Sequence, residues 1–503
     1  MENGETSYTK HTLKGFGWLS GGAVVQSFSQ IIVLSVLARI LLPSDFGVVN
    51  VIMILVGFST IFIDIGIGAS LVQLKNISDK HIYNGYIVSI LLGILIGLAF
   101  YFGAPLFAAY FKIPDLVNVI RVFGLYFPIR CIGIVPESLL QRNLKFKTTV
   151  SIQNFSYLVG FGVTSIVCAY LKMGYWALIY AQFAQLIISS VMLFYNQRIA
   201  FNQKIDFKIL KELVYTGSGY SLATFFNFFA ENGDNMVVGR TLGAVQLGLY
   251  GRAFQLFAMP ARFFGVIFDK VFFPILSRKR DDSITMDKVY MSSLVVCHLL
   301  LMPVSVVLIV LAPEVITILL GKGWNQIVLP FQILAISLSC RFGTKINKSF
   351  IKSLGIVYKG ALYQFIFSAL IIVFSIIGSY TLGLVGVAIG VLAANVFNYL
   401  QTLVLICKQI QSKIAYVLRI HVVSIFTTLA LLLITLAITL LFRKFVNYYL
   451  VVFALSAIII SPIAVYLILF SSRKFLAENY GYIKEKTGLP DSILVKLKRF
   501  KNK

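Results

Sequence analysis

Charge is scarce in this chain of 503 residues, where Asp, Glu, Lys and Arg together make up only 13%. A soluble protein carries roughly a quarter. Acidic residues are rarer still, 19 against 44 Lys and Arg, and there are four His. So few charges cannot solvate a surface of ordinary size, and an apolar share of 58% cannot be hidden in one or two soluble cores. Lipid must be the solvent for most of it.

Other absences narrow the chemistry. Cys131, Cys168, Cys297, Cys340 and Cys407 all lie in apolar segments, at no CxxC or metal-ligand spacing. That excludes a disulfide framework and a zinc site, so the cysteines read as small buried hydrophobes and no metal is expected. His81, His298 and His421 stand far apart, and no HExxH, GxSxG, P-loop or GxGxxG in a strand–helix context occurs. Outward loops are short, leaving nowhere for an external active site, so the reading is not an enzyme and no cofactor is called for. After Lys10 and Lys14 there is no short apolar stretch ending in a small-residue cleavage site. The start therefore reads as an uncleaved first helix rather than a signal peptide.

Long apolar runs are abundant. They fall near 14–39, 46–72, 82–108, 116–140, 149–171, 175–196, 210–238, 246–274, 290–312, 326–350, 359–380, 384–407, 416–442 and 447–471. With roughly 20 apolar residues needed per span, the expected fold class is an all-α polytopic membrane protein with about fourteen transmembrane helices. The net charge of +25 would suggest nucleic acid in a soluble protein. Here the lysines and arginines concentrate in alternate loops, such as Arg142, Lys145 and Lys147, then Arg198, Lys204, Lys208 and Lys211. The positive-inside rule explains that pattern, predicts both termini cytoplasmic, and leaves no nucleic-acid partner.

A gap-free echo runs through the chain. Ala38-Arg39-Ile40-Leu41 and Phe46-Gly47-Val48-Val49 match Gly239-Arg240-Thr241-Leu242 and Leu247-Gly248-Leu249-Tyr250 at a constant offset of 201. Both copies sit between an odd and an even span, so the halves share one orientation, a parallel repeat of the kind transporters use. The expected organisation is a six-helix lobe over 12–197, a second over 207–408, an extra helix pair over 414–471 and a basic tail over 472–503. In the tail, Ile493, Leu494, Leu497 and Phe500 share one helical face and cations the other. An interfacial helix and a solvated topology-setting tail both fit that pattern.

Ten ionisable residues fall within spans: Asp64, Arg121, Arg130, Glu137, Glu231, Asp234, Arg252, Arg262, Arg341 and Lys345. At roughly 2.5–3.5 kcal/mol each in mid-bilayer, they would together cost on the order of 25–35 kcal/mol if they faced lipid. They must face one another or a wet cavity. Arg130 and Glu137 share a face of the fourth span, while Arg341, Lys345, Lys348 and Lys352 form a stripe down the tenth. Under the repeat Arg130 corresponds to Arg341, so two equivalent arginines are expected at one cleft, unless Arg130 simply pairs with Glu137 or another buried acid. Arg39 and Arg240 either join that cleft at its rim or only end their helices, where a cation suits the helix dipole and snorkels. Asp64, Glu137, Glu231 and Asp234 either couple to H+ or Na+ or balance the arginines. Tyr220, Phe225, Phe226, Phe228 and Phe229 either stack on sugar rings or pack as ordinary core.

The segment Leu37-Ala38-Arg39-Ile40-Leu41 through Pro43-Ser44-Asp45-Phe46-Gly47, followed by Phe62-Ile63-Asp64-Ile65-Gly66-Ile67-Gly68-Ala69-Ser70-Leu71-Val72-Gln73, resembles the polysaccharide exporters of the MOP superfamily. The Wzx-type flippases of lipopolysaccharide, colanic acid and teichuronic acid are the nearest branch. Asp234-Asn235-Met236-Val237-Val238-Gly239-Arg240, Leu247-Gly248-Leu249-Tyr250-Gly251-Arg252-Ala253, Pro260 and Arg142-Asn143-Leu144-Lys145-Phe146-Lys147 carry the same resemblance, over roughly residues 10–410. It implies a MATE-like fold whose two lobes rock around a central cavity in a bacterial inner membrane. It also implies an undecaprenyl-diphosphate-linked oligosaccharide as substrate, with membrane lipids, a polysaccharide polymerase and chain-length proteins as partners. The six span cations outnumber the four acids, a bias that favours a diphosphate or acidic sugar. A MATE-type antiporter of cationic drugs should instead show a carboxylate-dominated cavity. The major facilitator superfamily expects a Gly- and Arg-rich loop where Leu74-Lys75-Asn76-Ile77-Ser78-Asp79-Lys80 stands. A membrane-embedded glycan polymerase or ligase expects a large outward loop.

Overall fold

In the computed structural model the described residues are 2–63, 67–74, 76–197, 199, 203–218, 221–278, 283–412, 414–446, 448–456, 458–460 and 462–463. Within them, the side chains of 2–16 and 261–285, among others, lie outside the description. Helices make up the fold, with no strand among the described residues. In a bilayer that is the economical solution for the backbone, because a helix satisfies its own N–H and C=O groups.

The chain divides into two compact units, Met1–Arg252 with Gln364–Val387, and Ala253–Tyr363 with Ala388–Lys503. This division does not follow helix order. The first arm of a late hairpin packs with the earlier helices, where Gln364 donates to Asn227 at 3.4 Å.

The first unit opens with a hairpin of α1 (Glu2–Leu37) and α2 (Pro43–Ile63). Pro43 stands at the start of α2, where a missing N–H costs nothing, and the Leu42 amide donates to Asp45 at 2.9 Å across the turn. α2 gives way to the short α3 (Ile67–Gln73), and α4 (Asp79–Phe111) follows, ending at Lys112 with φ 58. The span expected at 116–140 is two helices, α5 (Leu116–Phe123) and α6 (Tyr126–Arg142). They break at Gly124, where α4 crosses so closely that a Cβ on Gly97 would lie 2.4 Å from the Gly124 carbonyl oxygen. Next come α7 (Phe146–Phe155), a π-helical segment Ser156–Val163, α8 (Thr164–Tyr170) and α9 (Tyr175–Asn196). α10 (Phe207–Ser218), α11 (Ser221–Thr241) and the opening turns of α12 (Gly243–Arg278) complete this part.

The second unit holds the rest of α12 with α13 (Ser283–Val310), α14 (Ala312–Leu319), a 3-10 turn Lys322–Ile327, α15 (Val328–Ile336) and α16 (Leu338–Ser353). α17 (Val357–Gln409) is two helices joined at Gly383, whose combination of φ 60 with ψ -134 only glycine adopts without strain. α18 (Ile414–Phe445) follows, and a shorter apolar helix, Tyr449–Ile460, comes after it. Among the described residues, seven helices are long and apolar enough to cross a bilayer, or nine if each bent pair is one span. The figure is lower than fourteen partly because α11 and α12 carry Glu231, Asp234, Arg240, Arg252 and Arg262 and because α17 joins two expected spans. The expected lobe boundaries at 197 and 207 remain a reading of helix order, and the tail over 472–503 lies outside the described residues.

The echo at offset 201 has a physical meaning. α2 crosses the start of α12 so that a Cβ on Gly47 would meet the Ala244 oxygen, and a Cβ on Gly248 would meet the Pro43 oxygen, both far inside contact distance. Pro43 and Ala244 are themselves 201 apart, so each half contributes one glycine and one carbonyl to a reciprocal crossing. Small residues let helix backbones touch in this way where lipid gives no hydrophobic drive. Asn50 donates to the Leu247 oxygen at 3.3 Å beside it.

Candidate functional site

In the first unit the site is built on α6. Phe127, Cys131, Ile134, Val135, Leu139 and Leu140 are buried, which leaves Arg130, Glu137 and Gln141 on the accessible face. Both terminal nitrogens of Arg130 donate to one Glu137 oxygen at 3.1 Å, and Gln153 on α7 donates to the other at 3.2 Å. A carboxylate held by three donors, two from one guanidinium, is well fixed. The pair is open nonetheless: with Gly68, Val72, Gln73 and Ser138 it lines a cleft of about 440 Å³. Gly68 keeps the cleft clear, since a Cβ there would lie 2.8 Å from the Ser138 hydroxyl. Arg142 fastens the far wall by donating to the Leu71 and Leu74 oxygens at 2.7 and 2.6 Å. Those carbonyls end α3 and have no partner within the helix.

In the second unit the site is α16. From Phe342 to Ser353 the only residues not buried are Lys345, Lys348 and Lys352, and Arg341 lies one turn before them on the same face. The opposite face fixes the rotation of the helix. Buried Asn347 accepts from the Tyr290 hydroxyl at 2.8 Å and donates to Thr402 at 2.9 Å. Gly343 admits Tyr399, whose ring would be 2.4 Å from a Cβ there. Arg341 lies over the rings of Phe254 and Phe257, at 4.9 and 5.6 Å, which orients the cation. The accessible face of α16 is therefore cationic along its length.

The remaining expected residues separate. Arg252 lies 4.6 Å over Phe46 and donates to Asn50 at 3.4 Å, within the reciprocal crossing. Arg240 stacks on Tyr110 at 5.2 Å and donates to that residue's carbonyl, at the end of α4. Arg121 is exposed, stacked on Tyr101 at 5.4 Å, and Arg39 is exposed in the turn after α1. None of these lines the α6 cleft. Glu231 and Asp234, one turn apart, part company: Glu231 is exposed, whereas Asp234 is 2% exposed and accepts from Tyr250 at 2.7 Å and from Asn235. Asp64, the side chain of Arg262 and Tyr220 lie outside the described residues. Phe225, Phe228 and Phe229 surround Phe58 with ring centroids 5.7–6.1 Å away, and Phe226 packs on Phe365 at 5.1 Å. That is ordinary core packing.

Two polar clusters are not evident from sequence. Glu314, 1% exposed, is held by Arg443: Nε donates to Oε1 and Nη2 to Oε2, both at 2.8 Å. The signal for it is Ala312-Pro313-Glu314, a proline and an acid in the first turn of a short helix. His298 and His421, scattered in sequence, meet with ring centroids 4.8 Å apart. His421 is satisfied by the Val417 oxygen and the Tyr399 hydroxyl, at 2.7 and 2.6 Å, while His298 has no hydrogen-bond partner among the described residues. No spacing rule announces that meeting. Among the described residues no group of three or more His, Cys, Asp or Glu could hold a metal ion.

The protein-family description that matches residues 36–329 is "Polysaccharide biosynthesis protein". The teichuronic acid biosynthesis protein TuaB of Bacillus subtilis is 24% identical over 66% of this chain and 68% of its own length. The lipopolysaccharide biosynthesis protein WzxC of Escherichia coli is 24% identical over 78% of this chain and 80% of its own. Among solved structures, the lipid II flippase MurJ in an inward closed conformation superposes with a TM-score of 0.70, at 16% identity over 91% of this chain and 99% of that one. An inward-facing MATE transporter of the MOP superfamily gives 0.63, at 15% identity over 77% and 95%. At such identities the likeness is one of fold, and the fold is MATE-like.

Proposed function

This chain belongs to the polysaccharide biosynthesis protein family, and from that premise we propose that it flips an undecaprenyl-diphosphate-linked oligosaccharide across the bacterial cytoplasmic membrane. It is a multi-pass membrane protein. Its family includes proteins of lipopolysaccharide and teichuronic acid biosynthesis, which supports a glycan repeat unit as cargo. The observation that carries the reading is the face of α16, where Arg341, Lys345, Lys348 and Lys352 are presented together while the opposite face is locked. A diphosphate is the part of such a lipid that must leave water, and cations on a fixed helix meet it with little reorganisation. The α6 cleft adds Arg130 with Glu137 and Gln141, a mixed set suited to phosphate and sugar hydroxyls.

In this reading the protein moves its substrate without covalent chemistry, with both termini in the cytoplasm and the polymerase and chain-length machinery receiving the product outside. The coupling ion in this reading is H+ or Na+, with Glu137, which accepts from Arg130, among the carboxylates proposed to serve it. The carboxylate-dominated interior expected of an antiporter of cationic drugs is not supported by Asp234, which is engaged by a tyrosine, or by Glu231, which is exposed. The test is complementation of a strain lacking its own flippase, with lipid-linked repeat units assayed by leaflet. Restored surface glycan is the expected result. Continued accumulation of repeat units on the cytoplasmic side, with the protein present in the membrane, would overturn the assignment.

A further inference from the structure

The function proposed above handles the polar part of the substrate and says nothing of its tail. A second concavity, also in the first unit, is apolar: a groove of about 800 Å³ between α1 and α7, with Gly17, Trp18, Gly21 and Val25 on one side and Phe155 and Leu158 on the other. Its volume is in the range of ligand clefts, roughly 300–1,000 Å³. The groove is open because glycines form its floor. A Cβ on Gly17 or Gly21 would meet nothing within 4 Å. Gly22 plays a different part, since a Cβ there would lie 2.0 Å from Val150, and Asn154 donates to its oxygen at 3.3 Å. Gly22 thus seats α1 on α7, and Gly17 and Gly21 leave the space beside the seat empty. Phe28 and Ile32, both strongly exposed, prolong the apolar strip along α1.

One end of the groove carries a charge. Lys147, in the first turn of α7, holds its ammonium 5.0 Å over the ring of Trp18. The other link is α7 itself. Its Gln153 bonds Glu137 in the polar cleft, and its next residue, Asn154, lines the apolar groove. α7 therefore touches both cleft and groove. An amphiphile with a charged head and a long apolar tail fits an apolar groove with a cation at one end, and a lone phosphate or a soluble sugar would have no use for it.

We propose that the α1–α7 groove is the subsite for the polyisoprenoid tail of the diphosphate-linked substrate, with Lys147 at its mouth contacting the diphosphate. This rests on the flippase reading for the identity of the tail. The tail subsite fixes which side of the molecule the lipid follows while its head crosses.

The experiment photolabels full-length protein in proteoliposomes of Escherichia coli polar lipid with a diazirine-bearing polyisoprenyl diphosphate, and maps the adducts. Adducts should concentrate on 17–25 and 150–158, and excess undecaprenyl diphosphate should remove them while excess phosphatidylethanolamine does not. Gly21→Trp starts from a position where a Cβ would meet nothing within 4 Å, fills the groove and should lower labelling about tenfold, the factor corresponding to roughly 1.4 kcal/mol. Val25→Trp guards against an effect peculiar to one position, and recovery of both variants as monodisperse protein excludes misfolding as the cause. Lys147→Ala should weaken labelling by the diphosphate probe and leave labelling by the matching polyisoprenol unchanged. Equal competition by the phospholipid, or full labelling of both tryptophan variants, would overturn the proposal. Translocation separates this from the broader reading. A wild-type protein that labels in the groove yet moves no lipid-linked oligosaccharide would sink the flippase reading and keep the subsite. A wild-type protein and Gly21→Trp variant that flip at the same rate would do the reverse.

Discussion

The Glu314–Arg443 pair offers the sharpest test of how α18 is attached to its unit. Glu314 is almost wholly buried, and Arg443 meets it with two bonds of 2.8 Å and gives a third, of 2.9 Å, to the Val310 oxygen. Removing one partner of a buried pair costs about 3–5 kcal/mol, because the other charge is stranded. Arg443 is about one-third exposed, with a side chain at 32%, so its own stranding in a Glu314→Ala variant is partly relieved by water. Arg443→Ala should therefore be the more damaging change, near 3–4 kcal/mol, and Glu314→Ala nearer 2, within the range for a lost charged hydrogen bond. Replacing both, Glu314→Leu with Arg443→Met, removes each desolvation problem and should return to within about 1 kcal/mol of the natural protein. The assay is reversible unfolding in mixed micelles, monitored by the fluorescence of Trp176 and Trp324. A double variant whose loss equals the sum of the two single losses would refute the reasoning, since independent sites add and coupled ones do not.

Other expectations can be checked the same way. Gly47→Ala and Gly248→Ala each force backbones apart at the reciprocal crossing and should destabilise by about 1–3 kcal/mol, with the double variant much milder than the sum. Additive losses would mean that the two contacts are not one device. Tyr250→Phe takes the hydroxyl from buried Asp234 and should cost about 1–3 kcal/mol; an unchanged denaturation midpoint would count against that bond. His298→Leu removes an imidazole without a hydrogen-bond partner among the described residues and should be neutral or stabilising. A loss above about 2 kcal/mol would show that His298 is satisfied in the membrane.

Much of the fold was legible because lipid imposes long apolar helices, and apolar runs are visible without any contact information. The repeat was legible for a similar reason: a crossing that tolerates only glycine leaves Gly47 and Gly248 at matching places. The α16 stripe followed from helical period alone, since Arg341, Lys345, Lys348 and Lys352 cannot share any face but one. Sequence read less well wherever the outcome depends on a partner. Arg121 and Arg240 lie within or beside apolar runs, which leaves open both a place at the cavity and, for Arg240, a helix end; each stacks on a tyrosine of α4, at 5.4 and 5.2 Å. Glu314 is not singled out by sequence because it directly follows an apolar run, at the point where α13 bends by 77° into α14. The meeting of His298 with His421 depends on the packing of α13 against α18, and nothing local in either segment encodes it. The π-helical segment Ser156–Val163 is likewise a response to packing, where a Cβ on Gly160 would lie 2.4 Å from Gln185.

The central claim is that cations on α16 receive the diphosphate. The direct measurement is translocation of a fluorescent undecaprenyl-diphosphate oligosaccharide in proteoliposomes, comparing the natural protein with Arg341→Gln, Lys345→Gln and the double variant. Each single change should slow translocation about tenfold or more, as loss of a charge-assisted contact of roughly 1.5–3 kcal/mol requires, with the protein equally abundant and folded. Natural rates in the double variant would contradict the account.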